Sequence, residues 1–142
     1  MKVGLQIGKY ISEYNNMTQS LEDYLEMVSF LADENNGEVR LTDIAERMRV
    51  SKPSVFTALK LLEEQGLLEH KKYRTVLLTE KGIITATEIR ERHTFLTDFL
   101  TDIVGVSHGI AEKDACKMEH LLSEETLQKI KAIVYRKKNG LQ

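Results

Sequence analysis

Leu21, Leu25, Val28 and Leu31 recur three and four positions apart, the period of one helix face. Ser20 fits the N-cap of that helix, with Asp23 three positions on in capping-box relation, and Asn36 with Gly37 ends it. Residues 38–41 read as a short strand. Thr42 is placed to cap a second helix that turns Ile44, Ala45 and Met48 inward. A turn over Arg49, Val50 and Ser51 leads to a third helix starting near Pro53, whose missing N–H has no helical partner in a first turn. Val55, Leu59 and Leu62 form its buried stripe, and Gly66 stops it.

Two short helices joined by a tight turn make a helix-turn-helix. Residues 67–79 follow with apolar β-formers at both ends and a charged tip at 71–74, the pattern of a hairpin, or wing. From Glu80 the helical period returns. Ala86, Ile89, His93, Leu96, Leu100 and Ile103 share one face, and Phe95 and Phe99 add a second apolar strip beside it. That is more apolar surface than one small module buries, so a homodimer through residues 80–122 is expected. A break at 105–109, a helix reaching Leu122 and a last helix capped by Ser123 complete the pattern. The fold class is therefore mainly α: an N-terminal arm (1–16), a winged helix-turn-helix (17–79) and an all-α module (80–142).

Composition narrows the classes. A length of 142 residues, 42% hydrophobic and 30% charged, with a single proline, excludes a disordered or fibrous chain and suits one or two small modules. The apolar runs are far short of a membrane span, so no membrane partner is expected. The single cysteine, Cys116, has no internal disulfide partner, and no secretory signal pattern opens the sequence. A cytoplasmic location is the expectation.

A net charge of −2 hides an asymmetry. Between positions 47 and 81 stand eight basic residues against four acidic ones, which leaves 12 basic and 18 acidic for the rest of the chain. A local +4 beside a −6 remainder is what a nucleic-acid surface joined to an acidic module produces. The N-terminal end of the second helix of a helix-turn-helix reaches base edges while cations outside it hold phosphates. Ser51, Lys52, Ser54 and Thr57 lie at that end, Lys60 follows one turn on, and Lys71, Lys72, Tyr73 and Arg74 form the wing tip. These are the candidate contacts to double-stranded DNA; the alternative is a structural winged helix that binds protein.

A second constellation carries metal chemistry. Cys116, Glu119 and His120 stand at i, i+3 and i+4 and project from one helix face, close enough to share an ion. A buried cysteine beside a surface Glu-His pair gives the same spacing. Asp23 and Glu26 stand at i, i+3 on the first helix, and His93 interrupts an apolar stripe where leucine is expected, as a satisfied core histidine also does. Together these six residues comprise the ligand set for one or two divalent transition metals per subunit. An enzyme using Cys116 as nucleophile and His120 as base lacks any oxyanion-hole or pocket motif, so the chain is read as a non-enzyme.

LEDYLE (21–26), LTDIAERMRVSKPSV, KYRTVLLTEKG, RHTFLTDFL and CKMEHLLS together resemble the opening helix, helix-turn-helix, wing and metal-binding segments of the metal-dependent repressors related to the diphtheria toxin repressor, most closely the two-domain manganese regulators. The resemblance spans residues 17–135. It implies that Asp23, Glu26, His93, Cys116, Glu119 and His120 are metal ligands and that residues 80–142 bind metal and dimerise. Five of the six positions match the manganese regulators, while cysteine at 116 is typical of the iron-type members. Mn(II) is thus favoured, with Fe(II) the close alternative. At an ancillary site of the iron-type members, Thr97 stands for an acid and Glu112 for a histidine. The implied function is a repressor of metal-uptake genes that binds operator DNA as a dimer when metal occupies a site between its two domains. Coordination would then set the spacing of two recognition helices to half-sites roughly 34 Å, or a multiple, apart. The alternative is a metal-independent winged-helix regulator sensing oxidants through Cys116.

Overall fold

A computed structural model describes residues 17–140; the arm at 1–16 lies outside the described residues. The chain divides into two compact units, the boundary falling between Thr87 and Glu88.

The first unit opens with α1 (Gln19–Glu34), whose N-cap is Thr18: its side chain accepts from the Leu21 N–H at 3.2 Å. The expected Ser20–Asp23 capping box is therefore corrected. Thr18, in extended conformation, already supplies the side-chain acceptor an N-cap must offer, and Ser20 lies inside the first turn. Strand β1 (Val39–Arg40) leads into α2 (Leu41–Met48), with Arg40 rather than Thr42 at the cap position. Arg49 turns the chain in the left-handed region, φ 56°, while the Val50 N–H bonds the Ala45 carbonyl at 3.1 Å. Ser51 then caps α3 (Lys52–Glu64), so Pro53 sits in the first turn as expected.

The wing is built from β2 (Leu68–Lys71), a short 3₁₀ turn (Lys72–Arg74) and β3 (Thr75–Leu78). The three strands order β1-β3-β2, all antiparallel, with Val39 opposite Val76 and Leu68 opposite Leu78. Leu25, Val28, Val39, Ile44, Val55, Leu59, Leu62 and Val76 make the buried centre, each at most 1% exposed. Each such side chain contributes roughly 1.5–3 kcal/mol by leaving water.

The helix α4 (Glu80–Asp98) starts against the wing. Thr79 Oγ1 accepts from the Gly82 N–H at 3.0 Å and donates to the Gly66 carbonyl at 2.6 Å. A Cβ on Gly82 would stand 2.0 Å from the Leu67 carbonyl oxygen, so only glycine allows this approach.

In the second unit α4 continues into a π-helical segment (Phe99–Val104), followed by α5 (His108–Met118) and α6 (Glu124–Lys138), the last capped by Ser123 as expected. Leu96, Leu100, Ala111, Ala115, Leu127, Ile130 and Val134 form its core. Three expectations change here. The helix expected to reach Leu122 ends at Met118. Ile103 is 38% exposed, because the π segment widens the turn and takes the 3,4 stripe out of phase. Phe95 and Phe99 are partly buried against the unit's own core, so the second apolar strip is covered in part within one chain.

Candidate metal centre and nucleic-acid interface

The second unit gathers part of the expected ligand set. One donor atom each from His93, Cys116 and Glu119 lie within 4.8 Å of one another. His93 comes from the middle of α4, Cys116 from the last turn of α5, and Glu119 from the residue that ends α5. His93 Nδ1 stands 3.2 Å from Glu119 Oε2, and His120 Nε2 stands 3.2 Å from Glu119 Oε1. The carboxylate thus lies between two imidazoles. Its side chain is 1% exposed and that of His120 is 3% exposed, whereas Cys116 is exposed. This reverses the alternative of a buried cysteine beside a surface Glu-His pair.

The donor chemistry fits a divalent transition metal. Sulfur, imidazole and carboxylate donors bind at about 2.0–2.3 Å, so ligands of one ion stand up to about 4.6 Å apart. The observed grouping needs only a small closure to meet that span.

Neighbouring groups hold these donors in place. Arg92 Nη1 donates to the Glu119 carbonyl at 2.8 Å. Burial draws the Arg92 guanidinium below its ordinary range, while the charges of Glu119 and Glu124 oppose that shift. Thr97, buried, donates its hydroxyl to the His93 carbonyl at 2.8 Å, so it orders the backbone at the histidine. Glu112 Oε1 lies 3.8 Å from His93 Nε2 and 3.6 Å from His108 Nε2. Neither Arg92 nor His108 was singled out from the sequence.

Asp23 and Glu26 belong to the first unit. On α1 they line a cavity of about 300 Å³ together with Met27, Phe30 and Met48. The i, i+3 spacing of the two acids was legible, and Met48, expected to turn inward from the second helix, lines the same cavity.

The expected DNA contacts all sit on the exposed side of the first unit. Ser51, Lys52, Ser54, Thr57 and Lys60 are exposed at and beyond the start of α3, opposite buried Val55, Ala58, Leu59 and Leu62. Lys71, Lys72, Tyr73 and Arg74 are exposed at the wing tip, where Tyr73 and Arg74 take φ of 63° and 57°. Between α3 and the wing runs a groove of about 440 Å³ whose walls include Lys52, Phe56, Thr57, His70 and Arg74. The aromatic Phe56, 55% exposed, escaped the sequence reading because it falls outside the apolar stripe it neighbours. Among the described residues no helix is long and apolar enough to cross a membrane.

Residues 16–76 match the family model of the iron-dependent repressor N-terminal DNA-binding domain, and residues 79–138 match that of the iron-dependent repressor metal-binding and dimerisation domain. The transcriptional regulator MntR of Escherichia coli O6:H1 is 43% identical over 120 residues, covering 84% of this chain and 75% of that one. An uncharacterised HTH-type transcriptional regulator of Methanocaldococcus jannaschii is 34% identical over 123 residues, covering 87% and 98%. Among solved structures, the metal-dependent transcriptional regulator MtsR superposes with a TM-score of 0.74 at 25% identity, covering 83% of this chain and 54% of that one. The manganese regulator SloR superposes with a TM-score of 0.69 at 28% identity, covering 84% and 55%. The chain thus spans about half the length of these two structural relatives. With a winged helix-turn-helix followed by a helical unit that groups imidazole, thiol and carboxylate, and with both family models matched in that order, this chain belongs to the family of iron-dependent, metal-responsive transcriptional repressors rather than to any enzyme class.

Proposed function

We propose that the chain represses metal-uptake genes by binding operator DNA as a homodimer when Mn(II), or as the close alternative Fe(II), is bound by Asp23, Glu26, His93, Cys116, Glu119 and His120. The grouping of His93, Cys116 and Glu119 within 4.8 Å carries this reading. A bound divalent ion supplies positive charge that offsets the mutual repulsion of the carboxylates and the Cys116 thiolate.

The chain's own residues do the rest. Glu119 offers a buried carboxylate held by the Arg92 contact to its backbone. His93 and His120 present nitrogen donors on either carboxylate oxygen. Lys71, Lys72 and Arg74 hold phosphates, and the start of α3 enters the major groove. Regulation follows if the metal-bound form favours the DNA-competent arrangement, since an effector shifts an equilibrium only by its differential affinity. Oxygen donors favour Mn(II), while Cys116 and the imidazoles raise the affinity for later metals, so the choice of metal rests on geometry and availability.

Support for the homodimer comes from exposed apolar side chains of the second unit, Val104, Ile110, Leu121 and Ile133. Sedimentation in chelator should show a dimer at micromolar concentration, and a monomer there would remove that part of the reading.

The test of the whole is anisotropy with fluorescent duplexes selected from a random pool, titrated with Mn(II), Fe(II) and Zn(II) and repeated in chelator. Metal-dependent binding is expected. Equal affinity in chelator would replace this reading with a metal-independent regulator.

A further inference from the structure

We propose that Phe56 reads the C5-methyl group of thymine in the major groove and so sets part of the operator preference. This rests on the DNA-binding reading above.

The hydroxyls at the start of α3 are already engaged. Ser51 Oγ accepts from the Ser54 N–H at 3.2 Å and lies 2.8 Å from Ser54 Oγ. Thr57 Oγ1 donates to the Pro53 carbonyl at 3.0 Å. The Ser54 N–H bond caps the helix, and the other two bonds occupy the Thr57 proton and one of the two serine hydroxyl protons, which leaves a single serine hydroxyl proton for a base acceptor. Phe56 stands on the same exposed face with 55% of its surface open. Lys52 and Lys60 lie four positions to either side, hence one turn away on that face.

The ring is not an isolated surface aromatic. It borders the groove of about 440 Å³ that Leu41, Pro53 and Val76 line with apolar surface and that Lys52 and Arg74 rim with positive charge. Cations at the rim complement phosphates, and an apolar ring between them needs an apolar partner on the base edges. Thymine alone offers one in the major groove, its methyl group. Phe56 therefore supplies selection at a position where no donor is required.

The test uses the full-length protein with duplexes enriched from a random pool in Mn(II), and in parallel in Fe(II). Each thymine is replaced in turn by deoxyuridine, which removes only the methyl group. Wild type should lose about fourfold in affinity per half-site at one position, the effect of one buried methyl. Phe56→Ala should bind the thymine duplex more weakly and show no uracil penalty there. Phe56→Leu should retain part of it. Because the side chain is exposed, Phe56→Ala should melt as wild type does, which separates this effect from misfolding.

An unchanged uracil penalty in Phe56→Ala, or no penalised position in wild type, would overturn the assignment while leaving DNA binding intact. A smaller assembly for Phe56→Ala with the penalty unchanged would give the face to a second copy of the chain and also overturn it. If the pool enriches no duplex, the DNA-binding reading and this inference fall together.

Discussion

Arg92 Nη1 bonds the backbone carbonyl of Glu119 across 27 positions of sequence, fixing the end of α5 beside His93 on α4. One guanidinium thereby satisfies a helix-terminal carbonyl and brings positive charge near a carboxylate that is almost fully buried.

Arg92→Met should therefore destabilise the metal-free protein by about 2–4 kcal/mol, because a buried carboxylate loses a compensating charge and a carbonyl loses its donor. Urea unfolding in chelator measures it. A loss below about 0.5 kcal/mol would show that Arg92 does not support the site.

The hybrid donor set separates two variants. Cys116→Glu should keep Mn(II)-dependent DNA binding and weaken the response to Zn(II) or Co(II), since a soft donor is exchanged for a hard one. His120→Ala should abolish the metal response altogether. A normal response in His120→Ala would remove that residue from the ligand set.

Burial, reinforced by Glu124 and then Glu91 and opposed by Lys131, raises the Glu88 carboxyl from 4.5 to about 7. Folding therefore favours the protonated form, and the associated stability, present at low pH, is lost as pH rises from about 4.5 through about 7. Glu88→Gln should flatten this dependence and gain about 1 kcal/mol at pH 8, a modest gain because solvent screens a partly exposed group. Thermal melts of both proteins across this range check it, and parallel curves would count against it.

Arg74→Ala should lower affinity on every sequence and reduce the slope of log K against log salt by about one unit if its guanidinium neutralises a phosphate. An unchanged slope would take Arg74 out of the interface.

Elements with a local signature were legible in the sequence. Val55, Leu59 and Leu62 announced the buried side of α3, and the charged tip between two apolar runs announced the wing. The i, i+3, i+4 run of Cys116, Glu119 and His120 showed its chemistry, but its burial pattern came out inverted. The helix end at Met118 puts Glu119 and His120 inside and leaves the thiol outside, which spacing on an unbroken helix does not convey. The π segment was hidden for a similar reason: Gly105 N–H bonds the Leu100 carbonyl five positions back, and periodicity presumes four. Arg92 and Thr97 support the site through backbone carbonyls, which carry no residue-type signal.

Gly82 has one more consequence, and it concerns drift and engineering. A glycine inside an exposed helix is ordinarily a place where alanine is an improvement of about 1 kcal/mol, and stabilisation schemes exchange it by rule. Here the exchange would drive a methyl carbon into the Leu67 carbonyl oxygen, 2.0 Å away, and would lever the wing from the helix that follows it. Position 82 is thus a site where the most innocuous of substitutions meets a backbone clash, and where a design that trusts helix propensity will produce a weaker protein.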